Sequence, residues 1–194
     1  AKAALAIEQL NKDLLPDDDK FLGKGTITVS QMDVKGPSQC AVADYAMLYL
    51  DRRLTWGEDA ELAMGQVREY ISKATGDDPA SIIVEMPDYE KIGWTKKEYS
   101  QELYFPTWKI DEDHLLVQAG IKGHEALFGK KPVVDKWTFS TNLVATTGRH
   151  KIPAIGFGPG DEAQAHAPNE INRIDDLEIC AAFYAMLPYS LEKK

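Results

Sequence analysis

The segment Lys151–Glu170 contains the residue types best suited to metal chemistry. It reads KIPAIGFGPGDEAQAHAPNE, an apolar alternating run, a glycine-rich turn and then His166. The alternation predicts a buried strand, and the glycines and proline of residues 156–160 end it because they cannot all continue a ladder. Open α/β sheets bind ligands in loops beyond the carboxyl ends of their strands. We therefore interpret His166 as a metal ligand.

A surface histidine is the alternative interpretation of His166. No second His, Cys or carboxylate stands beside it at ligand spacing, and a lone histidine in a polar loop is more often a surface residue. The longer motif around it decides between the two interpretations.

That motif resembles a known family. The run GFGPGDEAQAHAPNE, with DKWTFST before it and IDDLEICAAFYAML after it, is similar to the carboxyl-terminal signature of a metallopeptidase family. The family includes acetylornithine deacetylase, succinyl-diaminopimelate desuccinylase and glutamate carboxypeptidase. The resemblance implies that His166 is the last protein ligand of a dinuclear zinc site. It also implies hydrolysis of an amide next to a carboxylate, by a zinc-bound water whose proton a glutamate accepts.

The other catalytic groups of the family have no counterpart in this sequence. The family takes further ligands and its base from a His-x-Asp motif, a bridging Asp and a Glu-Glu pair, and neither His-x-Asp nor Glu-Glu occurs here. Zinc typically needs at least three protein ligands. We therefore expect roughly the second half of such an enzyme, a fragment that does not hold zinc tightly through His166 or hydrolyse amides by itself.

Five residues are predicted to contact substrate. The first is Arg53. Together with Asp51 it matches an Asp-x-Arg pattern whose arginine binds the substrate carboxylate in the family's lid domain, and a guanidinium suits that role. A surface arginine at a strand end is the open alternative. The others follow predicted strands and are Ser140, Thr141, Asn142 and Gly158; helix capping is the alternative for the first three.

Three residues depart from the family pattern. Cys40 and Ala43 stand where relatives commonly have Asn and Pro. Leu143 replaces a glycine, and leucine would be strained there if the backbone needed a positive φ.

The predicted fold class is α/β, in three parts. Residues 1–88 form an α+β lid of ferredoxin-like type lacking its first strand. Its predicted elements are a helix over 3–14, a strand over 25–35 with a bulge at Ser30, a central strand over 40–54, a helix to Gly76 opened by a Thr55–Glu58 capping box, and a strand over 81–86. Residues 89–110 form an irregular aromatic connector, and residues 111–194 the last part of the catalytic domain.

The carboxyl-terminal part is predicted to contain two helices and two strands. One helix, capped by Asp111, ends at Gly129 and carries His114 and His124 as surface residues, since their spacing does not put them on one face. Strands follow over 133–137 and 152–157. The last helix runs from 174 to 187, forms core packing and stops at Pro188.

Charge and cysteine content restrict the partners. A net charge of −9 argues against nucleic acid and anionic membranes, although lysines alternate with aromatics over 89–108. Cys40 and Cys180 fit a reduced, cytoplasmic compartment. The resemblance implies a homodimer formed through the lid. The alternative function is a non-catalytic dimerisation module derived from such an enzyme. A nucleotide-binding loop over 156–160 is rejected, because Pro159 removes a backbone donor and no helix follows Gly160 directly.

Overall fold

The computed structural model describes residues 1–16, 21–137 and 139–191, and it mixes helices and strands as predicted. The chain divides into two compact units, Ala1–Thr107 and Trp108–Lys194. The acidic run Asp17–Asp19, predicted to form a solvated turn, lies outside the described residues.

Two helices pack on a two-stranded sheet in unit 1. In chain order the elements are α1 (Lys2–Asp13), β1 (Thr26–Lys35), β2 (Tyr45–Arg53) and α2 (Ala60–Thr75). The apolar residues of α1 recur every three or four positions, so they share one helical face. They form the core with residues of β1 and α2, and the buried members are Ile7, Leu10, Leu14, Ile27 and Val67.

The β1–β2 pairing confirms one strand prediction and corrects another. The strands are antiparallel with a register shift between Val29 and Gln31, which is the predicted bulge. The predicted central strand is shorter than expected, and within the described residues β2 pairs with β1 alone. Apolar residues on both faces of β2 therefore did not indicate a central position.

The predicted strand over 81–86 is wrong. Pro79–Ser81 form a 3-10 helix, and the segment that follows joins no sheet. Val84 packs on the core and the carbonyl of Ile82 accepts a hydrogen bond from Arg68 Nε at 3.3 Å. Side-chain packing thus holds this segment where strand pairing was expected.

The start of α2 differs from the predicted capping box. Its N-cap is Asp59, whose carboxylate accepts from the Leu62 N–H. Glu58 still accepts from the Thr55 N–H at 2.9 Å, but the Thr55 hydroxyl donates to the Gly23 carbonyl. The predicted end of the helix is confirmed, since Gly76 is left-handed with φ 82°.

The predicted irregular connector contains a β-hairpin. Strands β3 (Asp88–Ile92) and β4 (Glu98–Glu102) pair antiparallel, and every residue of both is exposed. The turn between them has Lys96 at φ 61°, the left-handed position typical of a short hairpin loop. Trp94 in this turn is 96% exposed. The prediction that the aromatic rings of this segment pack between two domains is therefore wrong for Trp94.

Unit 2 is built on two helices, α3 (Leu115–Phe128) and α4 (Ile174–Leu191). Gly123 of α3 permits close approach of α4, because a methyl group there would lie 3.1 Å from Ser190 Oγ; a methyl group at Gly120 would instead lie 2.8 Å from the side chain of Ile155. The N-cap of α3 is His114 rather than Asp111, and Gly129 ends it as predicted. Helix α4 continues through Pro188 instead of stopping there.

The two predicted strands of unit 2, over 133–137 and 152–157, do not form. Both segments lack sheet pairing in the described residues. A π-helical turn, Val144–Arg149, lies between them. Within the described parts of the chain, no helix combines the length and apolar character required to cross a membrane.

Candidate metal-ligand loop

His166 lies in a loop whose backbone groups form hydrogen bonds within the loop. Asp161 caps a 3-10 turn, Glu162–Gln164, by accepting from the Ala163 N–H at 2.9 Å. The Ala167 N–H then donates to the Gln164 carbonyl at 2.9 Å. These bonds are all local, so the order of residues 161–170 comes from the loop itself. We call residues 161–170 the His166 loop.

The imidazole of His166 is accessible. The residue is exposed, and its ring centroid lies 6.3 Å from that of Phe139 in an edge-on arrangement. Phe139 directly precedes Ser140, so the loop lies close to the start of the predicted substrate segment Ser140, Thr141 and Asn142. Among the described residues, neither ring nitrogen of His166 is hydrogen-bonded. An imidazole in this state is available as a ligand, and its role stays a prediction.

Tyr184 anchors the segment that leads into the His166 loop. Its hydroxyl donates to the Phe157 carbonyl at 2.7 Å and accepts from the Phe157 N–H at 3.0 Å. One side chain of α4 thereby satisfies both backbone groups that a neighbouring strand would have paired. This contact explains how residues 152–157 are held without joining a sheet.

The residues Ser140, Thr141 and Asn142 lead into the π-helical turn. Thr141 Oγ1 accepts from the Leu143 N–H at 3.2 Å, and the Asn142 carbonyl accepts from the Ala145 N–H at 3.0 Å. Thr141 therefore binds the backbone of Leu143, the residue at the N-cap of the turn, without capping a helical N–H, and its contact with substrate is still a prediction. Leu143 has φ −66°, so the strain considered for leucine at this position is absent.

Arg53 is paired with its own neighbour. Its Nε lies 2.8 Å from Asp51 Oδ1 and its Nη2 donates to Asp51 Oδ2 at 2.9 Å, on the exposed surface of β2. This two-bond pair would have to open, or share the guanidinium, before a substrate carboxylate could bind. Arg52 points the other way and makes a nearly buried pair with Glu58.

His124 was predicted to be a surface residue, and this is wrong. It is buried, its Nδ1 lies 2.8 Å from the Lys130 carbonyl, and its ring packs edge-on against Phe128 and Phe157. The contact between His124 and Phe157 joins positions that are far apart in the chain. The spacing of His114 and His124 along one helix could not reveal such a contact. Here His124 packs the segment that precedes the His166 loop.

The two cysteines differ in their environment. Cys40 is exposed, Cys180 is buried in α4, and both are free thiols. Burial, with a smaller effect of Asp176, raises the pKa of the Cys180 thiol. A thiol with a raised pKa is a poor nucleophile and a poor ligand.

Gly156 offers a test of the packing behind the loop. A methyl group at this position would overlap the indole ring of Trp137. A methyl group at Gly158 would contact no described atom within 4 Å, and the φ of Gly158 is not positive. We expect Gly156→Ala to lower the free energy of unfolding by about 2 kcal/mol through overpacking. Gly158→Ala is the matched control and should change it by less than about 0.5 kcal/mol. Urea unfolding followed by circular dichroism measures both, and equal values would contradict this packing.

The described residues contain no group of three or more His, Cys, Asp or Glu side chains that could hold a metal ion. His166 therefore fits one ligand position but does not make a zinc site with its neighbours in this chain. The residues present supply one donor, and any metal centre would need others.

Comparison with known proteins identifies the family. Residues 24–189 match the model of peptidase family M20/M25/M40. The chain is 52% identical over 172 residues to the uncharacterized protein YgeY of Escherichia coli K12, and equally so to YgeY of E. coli O157:H7. Each match covers 89% of this chain but 42% of the relative. The chain thus spans less than half the length of these relatives.

A solved structure agrees in fold. The M20 family metallo-carboxypeptidase Sso-CP2 from Sulfolobus solfataricus superposes with a TM-score of 0.51 at 19% identity, over 95% of this chain and 40% of that one. At this identity the likeness concerns the fold alone. Because the family model covers most of its residues, the chain belongs to peptidase family M20/M25/M40.

Proposed function

We propose that this chain is the carboxyl-terminal part of a metal-dependent hydrolase that cleaves an amide bond next to a carboxylate, as a deacylase or peptidase. Family membership supports a metal-dependent hydrolase. The observation that carries the proposal is the exposed His166, whose ring lies beside Phe139 and whose ring nitrogens bond to no other described residue. The subfamily closest in chemistry would be that of acetylornithine deacetylase and succinyl-diaminopimelate desuccinylase.

Zinc is the metal we propose, and His166 would be one of its ligands. The imidazole is a good zinc ligand, and a bound zinc ion supplies Lewis acidity and an activated water. The other donors and the general base would come from the part of the protein that this chain does not include. The proposed contributions of the chain are the ligand His166 and the substrate contacts of Arg53, Ser140, Thr141, Asn142 and Gly158.

The surface of α4 supports the idea that another segment covers unit 2. A helix that is apolar around its whole circumference is normally buried on several sides. Only Cys180 and Phe183 of α4 are buried, whereas Ile174, Leu177 and Ala181 are exposed apolar residues. The remaining part of the catalytic domain is the proposed cover.

We also propose a homodimer formed through unit 1. At the far end of the β1–β2 pair, Met32 and Val34 are 51% and 54% exposed. Apolar side chains next to an unpaired strand edge favour association. Light scattering of the purified chain would test this, and a monomer at all concentrations would count against it. The free thiols of Cys40 and Cys180 support a cytoplasmic location.

Complementation tests the enzymatic proposal. The chain would be mixed with a separately made amino-terminal part of the same protein and assayed with zinc on a panel of N-acyl amino acids and dipeptides. We expect no hydrolysis by the chain alone and less than one equivalent of zinc by elemental analysis, because it offers one donor. Hydrolysis by the mixture would support the enzyme. A mixture that associates and binds zinc without hydrolysing any amide would favour the non-catalytic dimerisation module.

A further inference from the structure

His166 has an unusual backbone conformation. Its φ is 62°, in the left-handed region that only a few per cent of residues other than glycine adopt, with asparagine, aspartate and histidine the most frequent among them. Asn169, three residues later, also has a positive φ of 66°. For any residue other than glycine this conformation costs free energy, and it persists where the surrounding structure holds it. Something in the His166 loop must therefore hold this residue.

The carboxylate of Glu170 forms a hydrogen bond with the backbone of His166. Glu170 Oε2 accepts from the His166 N–H at 3.1 Å. The Glu170 N–H in turn donates to the Ala167 carbonyl at 3.2 Å, so the same residue closes the turn with its backbone and its side chain. A hydrogen bond to an ionised acceptor is stronger than a neutral one. No other described group accepts a hydrogen bond from the His166 N–H.

The backbone conformation decides where the imidazole lies. Changing φ from the left-handed to the right-handed region swings the Cα–Cβ bond relative to the chain on either side. A ligand must be held within about 0.5 Å of its productive position for a metal site to work well. The hydrogen bond to the His166 N–H therefore controls the ring without touching it.

We propose that Glu170 is a positioning residue, which fixes His166 in the left-handed conformation and so aims its imidazole at the metal. This inference rests on the proposed function, because it assigns Glu170 a role toward the ligand His166. Glu170 acts through the backbone of the loop and is not itself a ligand. The alternative is a surface carboxylate whose contact with His166 has no effect on the ring.

The first measurement uses the 194-residue chain without metal. In the Glu170→Ala variant we expect the one-bond Cα–Hα coupling of His166 to lose its positive-φ signature, and the His166 amide to exchange at least about fivefold faster with solvent. Glu170→Gln keeps an acceptor oxygen on a side chain of the same length and should restore most of both values. Glu178→Ala, on the exposed surface of α4, is the matched control and should change neither.

The second measurement uses the full-length enzyme and zinc alone. Glu170→Ala should weaken zinc binding about tenfold, the lower end of the effect of residues that orient metal ligands. Glu170→Gln should recover part of the loss. The thermal midpoint of both variants should match the wild type within about 2 °C, since the contact is exposed.

The outcomes separate this inference from the proposed function. Unchanged coupling, exchange and zinc affinity in Glu170→Ala overturn the inference, provided that His166→Asn loses zinc. If His166→Asn binds zinc like the wild type, His166 is not a ligand and the proposed function fails whatever Glu170 does. Loss of zinc in both variants, with partial rescue by Glu170→Gln, supports both.

Discussion

If the proposed function holds, His166→Asn is expected to abolish zinc affinity and amide hydrolysis together. Asparagine tolerates a positive φ, so the substitution removes the imidazole while keeping the backbone of the loop. Changes to residues behind a metal ligand already cost about 10–100-fold, so removing the ligand should lower kcat/KM by at least about 100-fold. The complemented enzyme would be measured for zinc content by elemental analysis and for amide hydrolysis.

The control for this prediction is His150→Asn. His150 is also exposed, and it directly follows the π-helical turn. It should leave zinc content and activity within about twofold of the wild type, as surface substitutions away from a site usually do. Neither variant should change the unfolding of the 194-residue chain by more than about 0.5 kcal/mol. Equal activities of the two variants would show that His166 is a surface histidine.

The largest expected effect on stability is at Glu58. Its Oε1 lies 2.6 Å from Arg52 Nη2, and the two side chains are only 12% and 10% exposed. Arg52 also donates to the Arg53 carbonyl at 2.6 Å, and its Nε is buried with no hydrogen-bond partner among the residues that the structure describes. Glu58→Gln would leave the guanidinium without its counter-charge, and breaking such a pair costs about 3 kcal/mol. Urea unfolding of the whole chain measures this loss.

Two controls separate the burial of the charge from the loss of a carboxylate. Glu69→Gln breaks an exposed pair with Lys73 on α2 and should change stability by less than about 0.5 kcal/mol. The double variant Arg52→Met/Glu58→Gln removes the charge of Arg52 as well, while the amide oxygen at position 58 still accepts from the Thr55 N–H, and it should be at least about 1 kcal/mol more stable than Glu58→Gln alone. If the double variant is as unstable as Glu58→Gln, packing rather than an unpaired charge is responsible.

Local signals in the sequence predicted the helices and the carboxyl ends of α2 and α3, whereas the starts of α2 and α3 and the end of α4 at Pro188 were predicted wrongly. The spacing of Ile7 and Leu10 located α1, and Gly76 and Gly129 end their helices in the left-handed conformation. The change of phase at Ser30 correctly indicated a bulge. These features depend on residues within a few positions of each other, so one sequence is sufficient to find them.

Strands were predicted less well because pairing depends on a distant partner. The apolar run around Phe157 is strand-like, yet its backbone bonds to the Tyr184 hydroxyl. The run around Val84 is held by side-chain packing. In the opposite direction, the β3–β4 hairpin was missed although Gly93 stands in its turn, since aromatic and lysine residues obscured the alternation.

The side-chain contacts around the candidate site residues could not be predicted from the sequence. The motif around His166 identified the loop, but spacing alone gave no sign that Glu170 reaches the His166 N–H or that Asp51 engages Arg53. Both contacts depend on side-chain directions in three dimensions. The burial of His124 against Phe157 is a third example, because it joins α3 to a distant segment of the chain.

The β3–β4 hairpin has a consequence for handling the protein. A two-stranded hairpin is marginally stable in water, and this one buries none of its strand residues. Lys91, Lys96 and Lys97 lie in or beside its turn, so trypsin should nick the chain there before any other described site. Cleavage there would separate β3 from β4 inside unit 1, so the carboxyl-terminal product would carry unit 2 together with β4 and the residues up to Thr107.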